Sequence, residues 1–215
     1  MGSWRVIVSN GHHNRHASSW SIPAAFYIAN LLSKGYSFLM KDIVQRDNAI
    51  LRDHAKPVLI SEINSPKIKK VIDDMKIAMH AQKDGVAIAA PQIGELLQIF
   101  VISGRLLKKA DPKFKGDGSD LVFINPKIIK LSKDKAEMEE GCLSVRWLYG
   151  KVPRSTRVNL IAHDENGKIV KRGASGLLAQ IFQHECDHLN GILFTDKANE
   201  VWEMTAEEIA ELQKK

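Results

Sequence analysis

The segment Gln183–Gly191 reads QHECDHLNG and holds the residue types best suited to chemistry. His184 and His188 are four apart, so on a helix they lie one turn apart on the same face. Their imidazoles can then converge on a single metal ion. Glu185 points off that axis, where it can address a water beside the metal rather than the metal itself. Leu177, Ile181, His184 and His188 follow at spacings of four, three and four, a stripe that turns both histidines toward a core. Two satisfied buried histidines would be the plainer reading of such a stripe. The pairing at this spacing, with a glutamate between, favours a metal. Cys186 is rotated by about 200° from His184 and faces away.

The motif does not name its third ligand. One class of metalloproteases continues with a third histidine three residues after the glycine, and here that position is Phe194, which cannot ligate. Another class uses a downstream glutamate, and Glu200, Glu203, Glu207 and Glu208 are available. Upstream, EEGCLS (Glu139–Ser144) offers Cys142 in a short, tight segment. A thiolate is a strong ligand for zinc or ferrous iron, and two His plus one Cys leave a fourth position open to water. A single cysteine is most often an inert buried residue; beside the paired histidines, ligation is the better reading.

These residues need elements to hold them. Ser65-Pro66 is a helix start, a Ser cap followed by Pro at the first helical position. Ile68, Val71, Ile72, Met75, Ala78 and Met79 continue one apolar stripe to about Lys83, and Gly85 ends it. Leu96–Ser103 reads as a strand, and Gly104–Asp120 as a polar, Gly- and Lys-bearing loop. Extended structure resumes around Asn125-Pro126, and 157–172 is a hairpin turning at Asn166-Gly167. The helix carrying the histidines runs from about Ala174 to Leu189, and Thr205-Ala206-Glu207-Glu208 opens a short C-terminal helix with a capping box. The expected class is α+β, with antiparallel sheets packed around one central buried helix that carries the HExxH motif.

The chain has 215 residues, and its formal charge is +6. No apolar run reaches the roughly 18–20 residues of a membrane span, and two cysteines make no disulfide framework. The charge is uneven. Residues 1–41 contain no Asp or Glu, whereas residues 40–215 carry 28 basic against 25 acidic side chains. We therefore divide the chain into an N-terminal extension, 1–39, and a single catalytic metallohydrolase domain, 40–215. The extension is basic and serine-bearing, as a processed organellar leader is; a true start at Met40 with the upstream residues misassigned or non-native, and a disordered arm, are the other readings. His12, His13 and His16 within it form a polar cluster without a fourth ligand nearby.

Three segments in order, GVAIAAPQ (Gly85–Gln92), EGCLS (Glu140–Ser144) and QHECDHLNG, resemble the motifs of the peptide deformylase family, and AILRDHAKPV (Ala49–Val58) and GILFTDK (Gly191–Lys197) are also similar. The likeness spans roughly Val44 to Lys197. It implies a metal-dependent hydrolase that removes the N-formyl group from the N-terminal formylmethionine of newly synthesised polypeptides and releases formate. It implies Cys142, His184 and His188 as ligands of one divalent ion, Fe2+ in cells, with Zn2+ or Ni2+ able to substitute. Glu185 becomes the proton carrier, and Gln92 with the backbone N–H of Leu143 the donors to the oxyanion. Val86, Ala87, Gly141, Ile181 and Arg154 become substrate contacts, with Ala87 standing where the family usually has glycine. The implied partners are nascent formylated peptides, with transient ribosome contact, no membrane and no specific nucleic acid. The implied state is a monomer, cytoplasmic in the bacterial manner or organellar if 1–39 is a transit peptide. A zinc endopeptidase, and an RNA-binding protein with a structural metal, are the alternatives.

Overall fold

A computed structural model describes residues 41–111 and 114–214. The extension assigned to 1–39, with its histidine cluster, lies outside the described residues. The helices are α1 (Pro66–His80), α2 (Gly104–Ala110), α3 (Gly176–Leu189) and α4 (Ala206–Lys214). The strands are β1 (Ala87–Ala89), β2 (Ile99–Ile102), β3 (Leu121–Leu131), β4 (Lys135–Cys142), β5 (Val145–Ser155), β6 (Arg157–His163), β7 (Ile169–Ser175) and β8 (Glu200–Glu203). They form a five-stranded sheet in the order β1-β2-β3-β6-β7 and a three-stranded sheet in the order β4-β5-β8. All pairings within both are antiparallel. The α+β class with a buried histidine-bearing helix is what the sequence led us to expect.

The continuous apolar run of β2 has a direct cause: both faces of the large sheet are covered. Ile99 and Val101 pack toward α1 with Val122, Ile124 and Ile88. Phe100 and Ile102, pointing the other way along the pleat, pack toward α3 with Phe123 and Phe182. Phe100 and Phe123 stack with centroids 4.8 Å apart, and Phe182 meets Phe123 edge-on at 5.1 Å. The helix α1 starts where Ser65 Oγ accepts the Ile68 N–H, and its apolar stripe fills the outer cluster. Burying that stripe is what stabilises a 15-residue helix.

One stretch departs from expectation. Residues 104–110 form α2 rather than loop: Ser103 Oγ accepts the Leu106 N–H, and Leu107 is fully buried under the large sheet. A serine cap and one buried leucine outweigh the Lys-rich composition. At Asn125 (φ 51) the ladder of β3 shifts register, and the freed side chain brackets Val58, accepting its N–H at 2.8 Å and donating to its carbonyl at 2.7 Å. The approach segment is thereby pinned to the large sheet.

Candidate metal centre and its cleft

Helix α3 lies between the sheets and presents a different face to each. Leu178, Ala179, Ile181 and Phe182 join the core beneath the large sheet. His184 and His188 face the small sheet, with rings 4.9 Å apart at a steep angle. Cys142 arrives from the end of β4, where the pairing with β5 shifts between Gly141 and Cys142. The ligand atoms of Cys142, His184 and His188 all lie within 4.8 Å of one another, and Cys142 Sγ is 3.2 Å from His188 Nε2. None of Glu200, Glu203, Glu207 and Glu208 belongs to this cluster.

The surroundings define the donors. His184 Nδ1 meets Glu140 Oε2 at 2.9 Å, so with an Nδ1 proton donated there the Nε2 lone pair is the one that can ligate. Burial opposes a charge on His184, yet Cys142 and Glu140 hold its pKa well above the ordinary range. Burial, reinforced by His184, pushes His188 well below it. The cluster thus favours positive charge at its centre and supplies a neutral imidazole beside it. Sulfur and two imidazole nitrogens are a donor set for a divalent transition ion. Glu185 is buried beside the cluster; burial pushes its carboxyl up to about 7, and its Oε2 has no hydrogen-bond partner. The three side chains therefore fit a divalent metal ion, with the Glu185 carboxyl beside it.

Gln92 is held from both ends. Its Oε1 accepts the Ala89 N–H at 2.7 Å, while Nε2 donates to Ser144 Oγ at 3.1 Å and approaches Cys142 Sγ at 3.5 Å. The turn bearing Leu143 is tied down by Gln45, whose Nε2 donates to the Leu143 carbonyl at 3.1 Å. A cavity of about 230 Å³ opens here, lined by Val86, Ala87, Gln92, Gly141, Leu143 and Glu185 among others. The methyl of Ala87 is part of that wall. Gly141 has a second cause besides access to the cleft: a Cβ there would lie 2.7 Å from the Tyr149 ring opposite it.

Two expected substrate contacts are placed elsewhere. Ile181 is fully buried in the core under the large sheet. Arg154 is 3% exposed and does not line the cavity. Its Nε and one terminal nitrogen grip both oxygens of Glu140 at 2.7 and 2.8 Å, and the other terminal nitrogen donates to Asp187 at 2.6 Å. Lys197 Nζ holds the second Asp187 oxygen at 2.6 Å. Burial works against the Glu140 carboxylate, but Arg154 and His184 bring its pKa down to about 2. Arg154 is a positioning residue behind His184. The sequence signals for this network, an acid two before Cys142 and another directly before His188, are visible only in hindsight. Cys186, as expected, takes no part: burial pushes its thiol up to about 12.

Comparison with known proteins adds four findings. Residues 40–203 match the polypeptide deformylase family. The chain is 38% identical over 162 residues to peptide deformylase 2 of Clostridium acetobutylicum, covering 75% of this chain and 97% of that one. It is 36% identical to the chloroplastic peptide deformylase 1B of Oryza sativa subsp. japonica, covering 80% of this chain and 61% of that one. A Met-Ala-Ser-bound class I type b peptide deformylase from Acinetobacter baumannii superposes with a TM-score of 0.65 at 34% identity, covering 72% of this chain and 96% of that one.

Proposed function

The chain belongs to the polypeptide deformylase family, an enzyme family that removes the N-formyl group from nascent peptides, and from that premise we propose how its residues divide the work. Cys142, His184 and His188 would hold one divalent ion, Fe2+ in cells, with Zn2+ or Ni2+ able to replace it. Such an ion, when bound, acidifies a water and polarises a carbonyl. Glu185 accepts the proton of the attacking water on its carboxylate. It then delivers that proton to the leaving nitrogen as the formyl C–N bond breaks, so formate and a free N-terminal amine depart. Gln92 Nε2 donates to the oxyanion with the N–H that otherwise faces Cys142 Sγ at 3.5 Å, and the Leu143 N–H donates beside it; donors placed in advance stabilise such a charge. Val86, Ala87, Gly141 and Leu143 form the wall for the methionyl residue, and Arg154 acts through Glu140 to fix the His184 ring.

The observation that carries this reading is the buried Glu185 carboxyl, one oxygen of it unpartnered, lining the same cleft as Cys142 and His184 of the Cys-His-His cluster. The test is formate release from N-formyl-Met-Ala-Ser by protein loaded anaerobically with Fe2+ or Ni2+. Release with no cleavage of unformylated peptides is expected; the absence of release from fully loaded protein overturns it. We further propose a monomer acting on chains as they leave the ribosome, in a cytoplasm of bacterial type or an organelle. Among the described residues no helix is long and apolar enough to cross a membrane. N-terminal sequencing of the native protein tests the organellar reading: a cut within or after 1–39 other than at Met40 supports a transit peptide, whereas a start at Met40 or an intact extension overturns it.

A further inference from the structure

The two walls of the cleft belong to different sheets. Val86 and Ala87 stand at the start of β1, an edge strand of the five-stranded sheet, whereas Gly141, Cys142 and Leu143 lie where β4 turns into β5 of the three-stranded sheet. At the inner end Gln92 joins the two, bonded to Ala89 on one side and Ser144 on the other. A second tie crosses at the mouth. Arg146 of β5 donates through one terminal nitrogen to Asp84 at 2.6 Å and through the other to Gln82 at 2.7 Å. Arg146 and Asp84 both border the cavity, and their side chains are only 23% and 20% exposed.

Both ends of this tie are anchored. On the large-sheet side the Gly85 N–H donates to the Gln82 carbonyl at 3.2 Å, the Val86 N–H to the Asp84 carbonyl at 3.0 Å, and the Ser103 N–H to the Val86 carbonyl at 2.8 Å. A Cβ at Gly85 would lie 2.1 Å from the Met79 carbonyl oxygen, so the chain passes hard against the last turn of α1. On the small-sheet side Val145, just before Arg146, is buried in the core of that sheet. Trp147, just after it, has φ 67, a left-handed conformation that side chains rarely adopt. The Met204 N–H donates to the Trp147 carbonyl at 2.8 Å and helps to hold it, and Trp147, Trp202 and Met204 continue the cavity wall. The Arg146 guanidinium carbon stands 5.6 Å from the centroid of the Trp147 ring. A planar fork held over a ring loses little freedom when it closes on two acceptors.

We propose that Arg146 is a positioning residue: by gripping Asp84 and Gln82 across the mouth it fixes the wall at Val86 and Ala87 against the turn at Cys142 and Leu143, and so sets the width of the slot for the methionyl residue. It acts through the wall and touches no reacting atom. The inference rests on the deformylase reading of the site. Releasing the grip leaves the reaction centre in place, so the loss falls on binding: KM rises and kcat holds. The experiment compares Arg146→Met, Asp84→Asn and the double variant with the parent, each as the metal-loaded full chain, on N-formyl-Met-Ala-Ser. Each single variant is expected to raise KM about three- to tenfold, the size of a charge-assisted hydrogen bond in a partly buried pair, with kcat within about twofold of the parent. The double variant matches Arg146→Met alone, because the two changes remove one shared contact. Arg146→Lys, which keeps the charge without the fork, recovers part of the KM. The kcat/KM preference for N-formyl-Met over N-formyl-Phe tripeptides falls in Arg146→Met, as a wider slot requires. Hydrogen exchange over residues 82–87 quickens in the same variant while that of β2 stays as in the parent. An unchanged KM in Arg146→Met, or losses that multiply in the double variant, overturns the inference while formate release by the parent stands. No release by the parent would instead sink the deformylase reading.

Discussion

Helix α3 is pressed between two sheets that bury different chemistry against it. On the large-sheet side the partners are Phe100, Phe123, Leu160 and Ala162. On the small-sheet side they include Glu140, Arg154 and the turn after Cys142. Apolar burial is non-directional, and it fixes how deep the helix sits. Ion pairs and hydrogen bonds are directional, and they fix how each imidazole is turned. The same helix therefore needs one neighbour for stability and another for aim, and the proposed catalytic groups stand on the side of aim.

Substitutions can break or sharpen this contrast. The largest effect is expected at Glu185→Gln, where kcat for formate release should fall about 10²- to 10⁴-fold while metal content by elemental analysis stays that of the parent. Phe182→Ala, on the apolar side, should cost about 3–5 kcal/mol of stability in denaturant titrations, with metal affinity of the folded protein kept. Arg154→Ala, on the polar side, strands Glu140 and Asp187 without their buried cation. It should cost about 3 kcal/mol or more and weaken metal binding about 10- to 100-fold by competition with a chelator. Equal loss of metal affinity in the two variants would dissolve the distinction drawn between the sheets.

The smallest effect lies at the edge of the small sheet. Asp196 accepts the Leu193 N–H at 2.8 Å and pairs with Arg52; burial opposes its charge, but these partners lower its pKa. A carboxyl depressed in the folded state adds stability above its unfolded pKa, about 3.9, and loses it as pH falls through the lower folded value. The pair is partly exposed, so Asp196→Asn should cost no more than about 1 kcal/mol at pH 7. Thermal melts should show that difference narrowing below about pH 4.

The periodic parts of this molecule were legible in its sequence. The four-residue spacing of His184 and His188 and the Ser65-Pro66 cap report local geometry, which neighbouring residues alone decide. The hidden parts depend on distant partners. Arg154 is expected at the substrate, and only the fold shows Glu140, 14 residues before it, and Asp187, 33 after it, closing around it. Trp202 and Met204 reach the cleft only through the β5–β8 register, about 50 residues apart in sequence. Likewise α2 was obscured because its lysines and its Gly104 outnumber the serine cap and the buried leucine that form it.

The separation of Cys142 from the histidines also bears on unfolding. Its sulfur comes from one sheet and the nitrogens from a helix anchored on the other, with His184 lying 42 positions after Cys142. Any ion gripped by all three is a clasp across the molecule. By the loop-closure estimate used for cross-links, restraining a loop of that length lowers the entropy of the unfolded chain by the equivalent of about 4 kcal/mol. The reaction centre thus doubles as a fastening, and stripping it with a chelator should let the two sheets part before either loses its own strands.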